Sequence, residues 1–273
     1  MPLLRHSPRR LGLLGLCAAT AFVASCDTTV GFRPNELLWG FVSLSAVKNP
    51  AGETRTAPTG TFFRGEVSSL PSAAVRPDTC FPSRTYVPPT NSFAGVAFLD
   101  AGASISLNIG GTTTEVPRIS GGGITKYNLA AGTTVAYRPG DSIVVRVPGA
   151  NGGYPTTEVR GKTAEAFTMQ PVTPPASGYM QLRWTAASDN NSALVLSLQY
   201  APAGGGSTVS REILCAFADD GVDSIPVAKY QEWSAASNVT RQVVANRLRT
   251  VLQNVNGGAI QFISTYQLPT PTP

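Results

Sequence analysis

The chain has 273 residues, of which 42% are hydrophobic and 14% charged, and its formal net charge is +5. Without the three arginines of the first ten residues, 18 basic side chains face 16 acidic ones, which leaves no positively charged surface for nucleic acid. The single histidine, His6, lies in the same segment, so the rest of the chain has none for a nucleophile–histidine pair or a zinc site. Gly (27) and Pro (22) are frequent, which favours a turn-rich β protein over a helical bundle.

Residues 1–25 have the three parts of a secretory signal peptide. A basic segment, Met1 to Arg10, is followed by the apolar run LGLLGLCAATAFV at 11–23 and then by small residues. A run of 13 residues is short for a membrane span, which needs about 20. We therefore predict that this leader is cleaved, and a buried core helix is the alternative.

Val23-Ala24-Ser25-Cys26 resembles the lipobox of bacterial lipoproteins, in which a branched apolar residue and two small residues precede a cysteine. The resemblance covers residues 1–26 only. It implies that the leader is cut before Cys26 and that a diacylglyceryl group on the Cys26 sulfur attaches the protein to a membrane. We expect an exported protein of the bacterial cell envelope, periplasmic or on the outer-membrane face, with residues 26–36 as lipid anchor and tether.

This expectation also assigns roles to the other three cysteines. Cys17 lies within the leader and is lost with it. Cys80 and Cys215 remain as one pair in an oxidising compartment, which predicts a disulfide. The loop that it closes would add about 5 kcal/mol in the chain-entropy model. Two unpaired buried thiols are the alternative, and a metal site would lack further cysteine or histidine ligands.

Strand patterns dominate residues 37–268, which we predict to form one domain followed by a Pro-rich tail at 269–273. Turn residues separate the predicted strands at spacings that are typical of a sandwich or barrel. These strands lie at 38–47, 59–67, 93–99, 105–109, 143–147, 180–184, 194–200, 213–217 and 259–266. The strands at 180–184 and 194–200 predict a hairpin, with Asp189-Asn190-Asn191 as its turn.

Two segments near the C-terminus contain helical features. Residues 226–235 begin with Pro and predict a short helix. Residues 243–255 have apolar side chains at helical spacing, yet the turn signal Asn256-Gly257-Gly258 follows them. A strand at 247–253 is favoured because a neighbouring strand needs a partner, and both readings stay open.

The stretch LRWTAASDNNSALVLSLQY at 182–200 resembles the second and third strands of immunoglobulin-like and fibronectin type III domains. The resemblance covers about twenty residues and implies that Trp184 packs in a sandwich core. The predicted fold is therefore all-β: a single immunoglobulin-like β-sandwich with extra strands and one or two short helices near the C-terminus.

Few residues are candidates for a site. Asp219, Asp220 and Asp223 are candidates for calcium ligands, and a solvated turn is the alternative reading. Trp39 and Trp233 are candidates for stacking against a sugar. The carboxylates considered for hydrolysis are Asp100, Glu115, Asp141 and Glu158, each of which is otherwise a surface charge.

These observations predict an envelope protein with a non-enzymatic binding or structural role. We expect no catalytic residue and no cofactor, and a partner that is an envelope protein or a polysaccharide. A carbohydrate-binding module is the first alternative and should show two or three coplanar exposed aromatic rings. A carboxylate-based envelope hydrolase is the second and should show two carboxylates facing each other, one with a raised pKa.

Overall fold

A computed structural model describes residues 37–48, 54–65, 78–86 and 96–268, which belong to one compact unit. The predicted signal peptide, Cys26, the tether and the Pro-rich tail lie outside the described residues.

The described chain is mostly strand, with one short helix, so the all-β prediction is confirmed. The strands before residue 130 are β1 (Leu38–Lys48), β2 (Thr54–Thr56), β3 (Thr59–Arg64), β4 (Thr79–Cys80), β5 (Arg84–Thr85), β6 (Ala97–Phe98), β7 (Ser104–Ile109), β8 (Thr112–Gly121) and β9 (Ile124–Asn128). The later elements are β10 (Val135–Ala136), β11 (Ser142–Val147), β12 (Thr157–Lys162), β13 (Tyr179–Arg183), β14 (Ser192–Ala201), β15 (Arg211–Ala218), β16 (Val222–Pro226), α1 (Val227–Ser234), β17 (Thr240–Val255) and β18 (Gly258–Leu268). Helix α1 confirms the prediction at 226–235. No helix in the described ranges is long and apolar enough to cross a bilayer.

The strands form two layers that share β8. The larger layer has the order β9-β3-β1-β18-β17-β14-β15-β4, and the smaller has the order β12-β11-β7-β8. Residues 112–117 of β8 pair with β7, whereas residues 118–121 pair with β9, so this strand passes from one layer to the other. The layers pack closely, because a Cβ added at Gly161 of β12 would lie 2.9 Å from Val251 Cγ2 of β17. This is a sandwich-like arrangement.

A two-stranded sheet of β13 and β16, with α1, covers the other half of the large layer. Its buried side chains are Met180, Leu182, Ile225, Tyr230 and Trp233. The predicted hairpin of residues 180–200 is therefore wrong, because β13 pairs with β16 while β14 pairs with β15 and β17. The turn at 189–191 instead leads the chain from the small sheet to the large one.

Residues 240–255 form the strand β17, which answers the question of strand or helix. Its buried side chains alternate along Val243, Ala245, Arg247 and Arg249. Two of these four buried residues are arginines, at positions that are usually apolar. The alternation of apolar and polar residues that marks a strand is therefore not visible in the sequence. Each arginine is paired: Arg249 donates to Asp189, and Arg247 to Asp219.

The ion pair of Arg247 and Asp219 is fully buried, with both side chains at 0% exposure. Arg247 Nε donates to one carboxylate oxygen at 2.6 Å and Nη2 donates to the other at 2.8 Å. The guanidinium also donates to the carbonyls of Ala166 and Thr185 and lies 4.9 Å from the ring centroid of Phe167. These contacts offset the cost of removing the two charges from water.

The predicted disulfide joins Cys80 of β4 to Cys215 of β15, which are paired in register. Buried tyrosines supply other long-range links. Tyr137 Oη lies 2.6 Å from Ser264 Oγ and donates to the carbonyl of Ala164, and burial raises the pKa of Tyr137 to about 12. Tyr154 Oη donates to the carbonyl of Ala259 at 2.9 Å. Gly40 makes room for it, because a Cβ there would lie 3.0 Å from this hydroxyl.

Removing one partner of the buried pair should strongly destabilise the protein. We expect Arg247→Met to lower the free energy of unfolding by about 3–5 kcal/mol, because Asp219 keeps a buried charge without its cation. Denaturant unfolding measures the change. The double variant Arg247→Met/Asp219→Leu should recover most of the loss, since no charge then remains buried.

Arg146→Met is the matched control, because Arg146 belongs to an exposed pair with Glu158 and Glu158 keeps Arg160. Its unfolding midpoint should stay unchanged within error. Equal midpoints for Arg146→Met and Arg247→Met would contradict a dominant role for the buried pair.

Candidate functional site

The large layer has an outer face, which is the side of strands β9, β3, β1, β18, β17, β14 and β15 that points away from the core. Strand pairing sets its rows: Trp39 lies beside Phe63 and Ala259, and Phe41 lies beside Thr61 and Gln261. The alternate residues on the other side, such as Val42 and Phe262, are buried in the core. The outer face thus spans several strands, although some of its side chains, such as Gln199 and Gln261, are buried.

No charged side chain lies on the outer face along the described residues of β3, β1, β18, β17 and β14. Among the described residues, the charges nearest to this part of the face lie around it, and Arg55 of β2 pairs with Val47 at the end of β1. Lys126 of β9 lies at one edge, and an ion pair of Arg84 and Glu212 lies at the other. The three arginines of β17, by contrast, are at inner positions. The middle of this face therefore suits an uncharged partner better than an ionic one.

Three aromatic rings form a row at one end of the outer face. The ring centroids of Trp39 and Phe41 are 6.2 Å apart with an interplanar angle of 20°, and those of Phe41 and Phe63 are 5.6 Å apart with an angle of 11°. Phe63 is buried, whereas Trp39 and Phe41 are half-buried. The indole nitrogen Nε1 of Trp39 is buried and has no hydrogen-bond partner in the part of the chain that the structure describes.

Gln261 lies in the same row, between Phe41 of β1 and Leu252 of β17. It is 1% exposed, and within the described ranges neither Nε2 nor Oε1 has a hydrogen-bond partner. An unpaired buried amide costs about 1–3 kcal/mol, so an apolar residue would serve the fold better. Leu252 beside it is 60% exposed, which is unusual for a leucine in a sheet. This concentration of unmet polar groups and exposed apolar surface marks the row as a candidate binding site.

The two tryptophan candidates are in different places. Trp39 is on the outer face, as a stacking residue would need to be. Trp233 is fully buried in α1, with the Arg241 Cζ 5.9 Å from its ring centroid. Trp233 therefore packs in the core and offers no ring to a ligand. Trp184 is also in the core, as its resemblance implied, and donates from Nε1 to Asp219 Oδ1 at 2.8 Å.

The three aspartates considered as calcium ligands are not gathered around one point in the described residues. Asp219 points inwards, and its two oxygens accept hydrogen bonds from Arg247 and Trp184. Asp220 accepts the backbone N–H of Val222, which is ordinary turn geometry. Burial, together with the Asp78 and Asp220 carboxylates, raises the pKa of Asp223. In the ranges that the structure describes, no three His, Cys, Asp or Glu side chains are placed to hold a metal ion.

Two of the four other carboxylates meet in one place. Glu115 and Glu158 line an open cleft of about 520 Å³ beside Arg146. Glu158 accepts hydrogen bonds from Arg146 at 2.7 Å and pairs with Arg160 at 2.5 Å. The hydrogen bond from Arg146 is the main cause that lowers the pKa of Glu158, whereas a general acid requires a raised pKa. Glu115 accepts a hydrogen bond from Ser104 Oγ at 2.6 Å.

Asp100 and Asp141 are not part of that cleft. Asp100 pairs with Arg118 and accepts the backbone N–H of Gly102 at 2.8 Å. The carbonyl of Asp141 accepts the backbone N–H of Thr163 at 2.9 Å. Both residues thus have evident structural roles in turns and at strand ends.

Sequence reasoning missed Phe41 and Gln261. Alternation along residues 259–266 places Gln261 opposite Phe262 and so on the outer face. Its neighbours Phe41 and Leu252 belong to two other strands, and only strand pairing brings them beside it. No local pattern contains that information.

No protein-family model matches this chain, and no curated protein sequence matches it. Among solved structures, it is similar to a DUF4785 family protein from Legionella pneumophila, with 7% sequence identity and a TM-score of 0.27. The similarity covers 85% of this chain and 56% of that protein, so the chain spans little more than half of its length. A likeness at this level carries no argument about function.

We expect Gln261→Met to stabilise the protein by about 1–3 kcal/mol, because it replaces an unpaired amide with an apolar side chain of similar length. Denaturant unfolding measures the gain. Gln253→Met is the matched control on β17, since the Gln253 amide donates to the carbonyl of Glu158 at 3.0 Å and its loss should destabilise. A destabilised Gln261→Met would show that the amide is satisfied in solution.

Proposed function

We propose that this chain is a lipid-anchored protein of the bacterial cell envelope whose domain binds a partner and catalyses no reaction. The membrane attachment rests on the lipobox-like Val23-Ala24-Ser25-Cys26 and on the leader that precedes it. The binding role is supported chiefly by one observation, the uncharged outer face with unpaired polar atoms at Trp39 and Gln261.

The candidate carboxylates favour binding over hydrolysis. Hydrolysis by two carboxylates needs one that stays protonated near neutral pH. Glu158 is held by two arginines in the cleft that it shares with Glu115, and its pKa is lowered. Glu158 therefore stays ionised in its pairs with Arg146 and Arg160, which suits a surface ion pair and not a proton donor.

The partner of the outer face is an envelope protein or a polysaccharide. A polysaccharide is the second candidate function, and the row of Trp39 and Phe41 favours it. Sugars stack on aromatic rings and present hydroxyl groups that pair with amide and indole groups such as those of Gln261 and Trp39. Both partners fit a surface whose middle is uncharged.

Replacing Cys26 tests the anchor. We expect the membrane-extracted protein to have an intact mass that starts at Cys26 and includes a diacylglyceryl group, and Cys26→Ser to lose both the lipid and the cleavage before residue 26. Cys17→Ser is the matched control, because residue 17 lies in the leader and the mature mass should not change. A wild-type chain that starts at another, unmodified residue would contradict the proposal.

A photo-crosslinking residue at Ser45, which is exposed on the outer face, tests the binding surface. We expect one discrete crosslinked species in intact cells when the partner is a protein. A polysaccharide partner instead predicts co-sedimentation with insoluble envelope polysaccharide that Trp39→Ala weakens. The control position is Thr113, which is exposed on β8 where this strand pairs with β7 in the smaller layer. Equal crosslinking at both positions, with no sedimentation, would exclude the outer face as the binding surface.

A further inference from the structure

The hairpin of β8 and β9 ends in a tip, residues 119–125, that carries two exposed isoleucines. Ile119 is 42% exposed and Ile124 is 48% exposed. The pairing of Ile119 with Lys126 and of Gly121 with Ile124 places both isoleucines on the outer-face side of the hairpin. The turn consists of Gly121, Gly122 and Gly123, so no larger side chain shields them. Two adjacent exposed isoleucines are costly in water and call for an apolar partner.

Strand register places this tip at the end of the sheet where the described chain begins. Leu38 pairs with Arg64 at the start of β1, and Thr61 of β3 pairs with Lys126 of β9. Strand β9 pairs with β3 only as far as Lys126, and Phe63 pairs instead with Phe98 of β6. Ile124 therefore lies towards the same end of the sheet as Leu38, beyond the last pair of β9 with β3.

The tether keeps this end of the sheet close to the lipid. Residues 27–36 are ten residues, which reach at most about 33 Å when fully extended. A lipid on Cys26 thus lies within about 33 Å of the start of β1, at the end of the sheet towards which the β8–β9 tip points. The tip can reach the bilayer without any change in the sheet.

The charges around the tip suit a lipid surface. Lys126 is exposed beside Ile119, and its long side chain can keep the ammonium group at the level of anionic headgroups. The acidic neighbour on the other side of the hairpin, Asp100, is paired with Arg118. Apolar side chains flanked by a lysine are typical of segments that lie in the membrane interface.

We propose that the β8–β9 tip is a second membrane contact, in which Ile119 and Ile124 enter the interfacial region of the bilayer that holds the Cys26 lipid. This inference rests on the proposed lipid anchor. The lipid fixes one point of the protein on the membrane, and the tip fixes a second. Two points of attachment restrict how the domain tilts on the bilayer.

A fluorescent probe at position 121 tests the contact. Gly121 has no atom within 4 Å of an added Cβ and has no positive φ, so Gly121→Cys accepts a nitrobenzoxadiazole label without disturbing the turn. The full lipidated protein is placed in vesicles of phosphatidylcholine and phosphatidylglycerol. We expect a blue-shifted emission that spin-labelled phospholipids quench. Ser207→Cys, an exposed position in the loop between β14 and β15 at the far end of the sheet, is the control and should show neither effect.

The variant Ile119→Thr/Ile124→Thr keeps β-branched side chains and should lose the blue shift and the quenching at position 121. Flotation of the same vesicles reports the lipid anchor separately. Protein that floats with an unquenched probe overturns the hairpin contact alone, and protein that does not float overturns the anchor and this inference with it. A blue shift that appears without lipid and grows with protein concentration would assign the tip to self-association and overturn the membrane contact.

Discussion

The buried pair of Arg247 and Asp219 connects parts of the fold that are distant in sequence. Arg247 lies in the middle of β17, whereas Asp219 follows β15, and the guanidinium also binds the carbonyls of Ala166 and Thr185. Those two carbonyls lie after β12 and after β13, where the chain crosses between sheets. One side chain thereby fixes the meeting point of the sandwich and the small sheet. An apolar residue at 247 would pack there but would leave these carbonyls without a donor.

The inward arginines and the uncharged outer face are two results of one alternation along β17. Arg241, Arg247 and Arg249 share the inner side, so Val244, Leu248 and Leu252 occupy the other. A sheet that has only to fold would place its charges in solvent and its leucines inside. Placing arginines inside removes their charges from water, and the ion pairs with Asp219 and Asp189 offset that cost. What the protein obtains is a neutral surface that a partner can cover without stripping water from charged groups.

The class of the fold could be predicted from the sequence, because Gly and Pro punctuation and alternating apolar residues are local signals. The helix at 226–235 and the Cys80–Cys215 disulfide were equally accessible, the latter because Cys80 and Cys215 remain once Cys17 and Cys26 are assigned to the predicted leader and anchor. Which strands pair with each other could not be predicted from the sequence. The sequence around Asp189 indicates a reversal of the chain but not that β13 would pair with β16. Asp219 looked like a calcium ligand because its partner Arg247 lies 28 residues further on. The candidate binding site around Gln261 could not be predicted for the same reason, since its neighbours on β1 and β17 are distant in sequence.

The disulfide has a consequence for a molecule that a protease has cut. Cys80 and Cys215 are 135 residues apart, and the exposed glycines Gly121 to Gly123 lie between them. A protease that cut this glycine turn would produce two polypeptides, yet neither would leave. The β15 segment would stay joined through sulfur to β4, which belongs to the N-terminal piece. A nicked molecule would thus remain in one covalent unit until a reductant reached the bridge.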